Sequence, residues 1–239
     1  MSALFKFTLL LIMTTNVLLS SAFFSWQVNA VNDYFYSDFY HSLDMDQHIK
    51  KYAIRNQDKM DYETVGSEEH IRVFSELVSS IHHHGIGLED INYYGQSGDS
   101  INTLLNESEI SHLYDVANLM TKFFWVGVLS CILTLILIVL SMTKRVTWPS
   151  QRRLFGGISV AVAAVIAAFL IIGFDPIFTL MHEVLFTSGA TWTFAYDESL
   201  LIVLTKSPQY FAILGLTIFV PALVLFTLLT ACLSYFSRR

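Results

Sequence analysis

Four long apolar stretches alternate with polar segments of unequal length: Ala3 to Phe24, Met120 to Met142, Leu154 to Phe174 and Phe211 to Phe236. Each is close to the ~20 residues that a helix needs to cross hydrocarbon. The pattern predicts an all-α protein, a four-helix transmembrane chain with a small, partly helical extracytoplasmic cap. Its segments are a first span over 1–25, an acidic cap over 26–119, a second span over 120–142, a basic cytoplasmic loop over 143–153, a third span over 154–174, an interfacial loop over 175–210, and a fourth span with a basic tail over 211–239.

Within the long polar segment, Ile71, Phe74, Leu77, Val78 and Ile81 recur at helical spacing and Gly85 follows as a stop, so one amphipathic helix is expected there. The run Tyr34, Phe35, Tyr36, Phe39 and Tyr40 is read as a strand or a short helix packed beside it. Asn106 with Glu109 three residues on forms a capping pattern, from which a helix is expected to run unbroken into the second span. After the third span, Asp175-Pro176 gives an N-cap and a first-turn proline. The helix expected from there carries Phe178, Met181, Leu185 and Phe186, stops at Thr187-Ser188-Gly189, and is apolar enough to lie in the membrane interface.

Composition agrees with a membrane protein, with 54% hydrophobic and 14% charged residues. Lys144, Arg145, Arg152 and Arg153 crowd between the second and third spans, whereas the loop from Asp175 to Tyr210 carries only Lys206, so the short basic loop faces the cytoplasm. Lys6, Arg238 and Arg239 then fall on the same side, and both termini are expected inside the cell membrane. Trp26, Trp125, Trp148, Tyr210 and Tyr235 lie near span ends, where amphipathic rings favour the headgroup layer. A cleavable signal peptide competes for the first segment through Val28-Asn29-Ala30, but so long an apolar run fits a retained anchor better.

Residues 26–119 hold sixteen Asp and Glu against five Lys and Arg, a net charge of −11, which excludes a nucleic-acid surface. Cys131 and Cys232 fall at different depths and are not expected to pair, and neither lies in an outer loop. His82-His83-His84 invites a metal reading, yet three consecutive residues do not share a helix face, and interaction with a helix C-terminus explains them more simply. Asn106-Glu107-Ser108 matches a glycosylation acceptor, a motif common by chance. No metal or other cofactor is expected.

His112 stands eight residues before the second span and His182 eight residues after the third, at one membrane surface. Each has a carboxylate near it in sequence, Asp115 at i+3 and Glu183 at i+1, read as supports that raise basicity or hold a tautomer. Trp192, Tyr196 and Asp197 lie in the same loop as His182 and are candidates for binding a headgroup, although interfacial anchoring explains the aromatics equally well. Small residues in the third span, among them Gly156, Gly157, Ala161 and Ala164, permit an acyl groove or close helix packing, the latter being their commoner use.

The segment Glu109-Ile110-Ser111-His112-Leu113-Tyr114-Asp115-Val116, followed by Phe174-Asp175, Phe178, His182, Phe186, Trp192, Asp197, Leu201-Ile202, Pro208 and Phe211, resembles the bacterial lipoprotein intramolecular transacylase family (Lit). The likeness runs from about Glu107 to the C-terminus, and the first outer loop carries little of it. Thr187-Ser188-Gly189 and Ala195-Tyr196 depart from the Asn and Pro usual near the tryptophan. The resemblance implies a four-span enzyme whose substrate is a diacylated lipoprotein. It moves the sn-2 acyl chain of the diacylglyceryl-cysteine to that cysteine's α-amino group, with His112 and His182 in the places of two essential histidines. Two other readings compete: a non-catalytic membrane sensor or assembly partner whose cap binds another protein, and, more weakly, a metal-dependent hydrolase using His82 to His84 with His112 and His182.

Overall fold

A computed structural model describes residues 3–237 apart from 57, 60, 145–147, 149–150 and 187–190, and it describes their side chains except at 3, 4, 6 and 151–155. Arg145, Arg238, Arg239, the stop at Thr187-Ser188-Gly189 and the side chains of Lys6, Arg152 and Arg153 therefore lie outside the described residues.

The described chain is mostly helical: α1 (Ala3–Ala30), α2 (Tyr36–Ser42), α3 (Met45–Ala53), α4 (Ser67–His82), α5 (Glu107–Met142), α6 (Gln151–Ile172), α7 (Phe174–Leu185), α8 (Leu200–Thr205) and α9 (Gln209–Phe236). Three of these, α1, α5 and α9, are long and apolar enough by themselves to cross a membrane, and a fourth span results if Gly156–Ile172 and Phe174–Leu185 count together as one bent span. The break falls at Gly173, whose φ of +90° suits a residue without a Cβ. Accordingly α7 begins one residue before the Asp175 N-cap expected from sequence. Val28-Asn29-Ala30 forms the last turn of α1, which runs past Phe24.

Contacts divide the chain into two compact units. The first comprises Met1–Val28, Phe123–Ile177 and Leu216–Arg239. In it polar side chains join apolar helices, which lack a hydrophobic drive to associate in lipid. Asn16 donates through Nδ2 to Ser130 O at 3.2 Å and to Thr134 Oγ1 at 2.9 Å, and the Ser20 hydroxyl shares a 2.8 Å bond with the same threonine. Ser25 donates to Ile218 O at 2.7 Å. At Gly127 the Phe23 ring packs so close that an added Cβ would overlap it. Trp148, expected at the headgroup layer, is buried against Met13, Val17, Phe226 and Leu233, and its Nε1 donates to Ser141 Oγ at 2.9 Å. Trp125 and Tyr235 are exposed. Cys131 and Cys232 are both free thiols.

The second unit comprises Asn29–Lys122 and Phe178–Gly215. Its core gathers Tyr36, Tyr40, Ile49, Phe74, Leu77 and Val78 with Leu113, Leu200 and Leu204. The predicted amphipathic helix is α4, with Phe74, Leu77 and Val78 buried and Ile71 and Ile81 packed at the margin. It ends at His82, ahead of the expected Gly85, because His84 already adopts the left-handed conformation at φ 62°. Tyr36 to Tyr40 lie in helix α2 rather than a strand, and Tyr36 stacks on Phe74 with ring centroids 3.9 Å apart. Tyr210, also expected at a headgroup layer, is buried here, and its hydroxyl donates to Tyr34 O at 3.0 Å.

A two-stranded antiparallel hairpin, β1 (Asn92–Tyr94) with β2 (Ser100–Thr103), is an addition to the all-α expectation. Arg72 on α4 secures it by donating to Asn92 O at 2.6 Å while pairing with Glu69 and Glu76. The rings of His82, His83 and His84 turn to three separate partners: Tyr34 Oη at 2.8 Å, Ser79 O at 2.7 Å and Thr121 Oγ1 at 3.0 Å. His83 thereby satisfies one of the last carbonyls of α4, as a residue at a helix C-terminus does.

Candidate active site

His112 comes from the second turn of α5, and its position is set by how that helix starts. Asn106 Oδ1 accepts from Glu109 N at 2.9 Å and Glu109 Oε2 accepts from Asn106 N at 2.7 Å, so the expected capping pattern forms reciprocally. Glu109 does more than cap. Its side chain is buried, and Oε1 accepts a short hydrogen bond from Ser199 Oγ and another from Leu201 N at 3.2 Å. Ser199 is the N-cap of α8, accepting from Ile202 N at 3.2 Å. One carboxylate thus ties the start of α5 to the end of the segment that carries Trp192 and Phe194. Burial pushes the Glu109 carboxyl up, and its hydrogen bonds to Ser199, Asn106 and Leu201 hold it down against that rise.

His182 comes from α7 and is buried, whereas Leu180, Met181, Val184 and Leu185 of the same helix are exposed. Both imidazoles are buried, and their ring centroids lie 5.9 Å apart at an interplanar angle of 34°. Four aromatic rings surround the pair. Phe178 lies 4.2 Å from His182, Trp192 stacks on His182 at 4.9 Å, Phe186 lies 5.1 Å from His112 and 5.5 Å from His182, and Phe194 lies 6.2 Å from His112.

His182 Nδ1 lies 2.9 Å from Phe178 O. A carbonyl only accepts, so Nδ1 carries the hydrogen and neutral His182 presents its lone pair at Nε2. His112 Nδ1 is buried with no hydrogen-bond partner among the described residues. Burial drives the His112 pKa down to about 4, the neighbouring His182 adds to the fall, and Asp115 opposes it. Asp115 thus acts in the expected direction but is outweighed, because it is exposed to water while the ring is not.

Glu183 is exposed, and among the described residues neither it nor Asp115 hydrogen-bonds an imidazole. Adjacent residues on a helix point about 100° apart, so the carboxylate next in sequence does not face the His182 ring. The partner that orients His182 is the Phe178 carbonyl, a backbone group with no sequence signature. Of the three loop residues expected beside the histidines, Trp192 reaches them and Tyr196 does not. The Tyr196 ring stacks on Tyr52 at 4.5 Å, and its hydroxyl donates to Ser207 O at 2.7 Å. Asp197 is exposed. Phe194 is an addition to the expected set, although Trp192, Phe194 and Tyr196 alternate with exposed Thr191, Thr193, Ala195 and Asp197 in the period of two that marks an extended segment with one buried side.

Burial holds three imidazoles of this unit, His48, His70 and His112, down to about pKa 4. The sign follows from proton uptake: the unfolded chain binds protons at these sites near pH 6.5 and the folded chain does not until about 4, so their contribution to stability is complete above pH ~6.5 and is lost as pH falls through that window. The thermal midpoint of the purified protein is expected to drop steadily between pH 7 and 4.5. A midpoint constant across that range would show that the three rings are not buried in neutral form.

A model of the family described as lipoprotein intramolecular transacylase, Lit, matches residues 2–211 of the chain. The protein belongs to this family of membrane enzymes that act on bacterial lipoproteins. The match begins far earlier than the residues from Glu107 that carry the resemblance, so it takes in the first outer loop, and it stops at 211 instead of reaching the C-terminus. Neither a curated protein nor a solved structure gives a significant match.

Proposed function

We propose that this protein transfers the sn-2 acyl chain of a diacylglyceryl-cysteine lipoprotein to the α-amino group of the same cysteine, leaving a lyso-form lipoprotein. Family membership supports the class of reaction. The observation that carries the mechanism is the facing pair of buried imidazoles 5.9 Å apart, one with its tautomer fixed.

In this reading His182 is the base. The neutral amine attacks the ester carbonyl carbon, its proton passes to His182 Nε2, and the carbon–oxygen bond to the glycerol sn-2 oxygen breaks as that oxygen takes the proton back from the imidazolium. The amine loses one hydrogen, the alcohol gains one, and the enzyme is restored. Neutral His112 donates an N–H hydrogen bond to the oxygen on which charge develops. Its depressed basicity keeps it a neutral donor that does not compete for the amine proton. So small a machinery is sufficient because amine and ester share one molecule, where oriented reactions reach effective molarities of ~10⁵ to 10⁸ M. A positioned base adds about 10² to 10⁴-fold.

Trp192 and the phenylalanines around the histidines shield the site from water and give acyl chain and glycerol an apolar wall. Asp115, Glu183 and Asp197, exposed at its margin, supply an acidic surround that draws in the cationic resting form of the amine, which gives up its extra proton to water before it attacks. By the positive-inside rule, the basic residues of the loop over 143–153 support a reading with both termini in the cytoplasm, the histidines on the extracytoplasmic side of the cell membrane, and membrane lipid around the spans over 1–25, 120–142, 154–174 and 211–239.

Mass spectrometry of a lipoprotein's N-terminal peptide, from cells with and without this protein, tests the reading. The expected result is one acyl chain moved from glycerol to nitrogen at constant total mass. Loss of an acyl chain would instead indicate hydrolysis, and unchanged acylation would favour a non-catalytic membrane partner.

A further inference from the structure

The outer segment 26–119 is strongly acidic, yet its few cations are not spread through it. Lys50 pairs with Asp46 at 2.7 Å and Arg72 with Glu69 and Glu76. Lys59 is turned inward, its Nζ donating to Thr103 O at 2.7 Å and to Thr103 Oγ1 at 2.8 Å. The remaining two, Lys51 and Arg55, have no carboxylate partner among the described residues and share one ring: Lys51 Nζ lies 5.0 Å and Arg55 Cζ 4.9 Å from the centre of Tyr52. Lys51 on α3 and Arg55 just beyond its end thus gather two like charges around one ring, an arrangement that an anion relieves. The positive potential is felt nearby, because Lys206 and Lys51 both add to the burial that depresses the His48 pKa.

This patch is continuous with the candidate active site. Tyr52 stacks on Tyr196, which ends the extended segment whose earlier residues Trp192 and Phe194 touch the two histidines. Four residues of extended chain from Trp192 to Tyr196 span about 13 Å. A polypeptide leaving the lipidated cysteine in extended form covers the same distance in about four residues.

Resting on the transacylase reading of the histidine pair, we propose that Lys51 and Arg55, seated on Tyr52, receive carboxylates of the lipoprotein substrate's own polypeptide about four to five residues beyond its lipidated cysteine. Arg55 offers a planar fork that takes a carboxylate bidentately, and Lys51 supplies a second point charge. The patch thereby selects clients with an acidic linker, a preference that resides in binding and not in the chemical step.

The full-length protein in phosphatidylcholine nanodiscs, given diacylglyceryl-cysteinyl peptides with Asp-Asp or Asn-Asn at the fourth and fifth residues after the cysteine, tests this through both peptide Kd and the KM of N-acylation. The Asp-Asp peptide is expected to show about fivefold lower Kd and KM at low salt, a gap that narrows at high salt, and the double variant Lys51→Gln with Arg55→Gln is expected to close it. Equal treatment of the peptides by the native protein, or a preference that survives in the double variant, overturns the proposal. So does a dependence on Lys51 and Arg55 that emerges only when phosphatidylglycerol is added and is the same for both peptides, which would assign the patch to lipid headgroups. If the Asp-Asp preference holds in Kd while neither peptide is acylated, the patch stands and the acyl-transfer reading falls.

Discussion

Replacement of His182 by alanine is expected to lower the rate of acyl transfer by about 10² to 10⁴-fold, the usual worth of a positioned general base. The fall is expected in kcat, because the ring meets the amine only as its proton leaves and contributes little to holding a lipid anchored by its chains. His112→Ala is expected to cost about 10² to 10³-fold, in the range of one oxyanion donor. Joined in one protein, the two replacements are expected to cost little more than His182→Ala alone, because groups acting as a unit are not additive. Asp115→Asn and Glu183→Gln serve as controls: both carboxylates are exposed without a bond to either ring, and each replacement is expected to leave the rate within a few-fold of the native value. A large loss from Glu183→Gln would show that Glu183, and not the Phe178 carbonyl, orients the His182 ring.

Glu109→Ala is expected to have the next largest effect, felt in stability as well as rate. The substitution strands two buried donors, Ser199 Oγ and Leu201 N, and a third at the half-buried Asn106 N. Each unsatisfied buried group costs about 1–3 kcal/mol, and with partial relaxation the total is about 3 kcal/mol. The α5 N-terminus and the Trp192-to-Glu198 segment then keep only the Asn106 Nδ2 bond to Glu198 O at 3.2 Å in place of the buried carboxylate, so kcat is expected to fall with the thermal midpoint. Glu109→Gln is no remedy, since its amide presents a donor to groups that are themselves donors. Thermal unfolding in detergent, followed alongside N-acylation of a synthetic lipopeptide, measures both effects. An unchanged midpoint would show that the carboxylate is not the tie between these two parts of the unit.

What can be read from residues alone, and what cannot, follows the range of the forces involved. The α4 helix is legible because its apolar positions repeat every three to four residues along its length. The start of α5 is legible because capping is a contact between residues three apart. His112 and His182 stand out because titratable rings beside apolar spans are conspicuous. Their approach across seventy residues does not follow from spacing. Trp148 and Tyr210 depart from expectation because an aromatic ring near a span end looks the same in sequence whether it meets headgroups or protein. The hairpin from Asn92 to Thr103 is hidden because strands of three and four residues are too short to show an alternation. Glu109 is recognisable as a cap, but its bonds to Ser199 and Leu201 join residues ninety apart in the chain. The support of His182 is hidden for a different reason, a backbone carbonyl having no letter of its own.

The most direct measurement is a crossover experiment with purified protein. A diacylglyceryl-cysteinyl peptide carrying a deuterated sn-2 chain is mixed with an unlabelled peptide of different sequence, and the products are fragmented in a mass spectrometer. The account predicts that the deuterated chain moves to the nitrogen of its own peptide alone, and that His182→Ala abolishes the movement. Labelled chain on the second peptide, labelled free fatty acid, or transfer undiminished in the His182→Ala variant would contradict it.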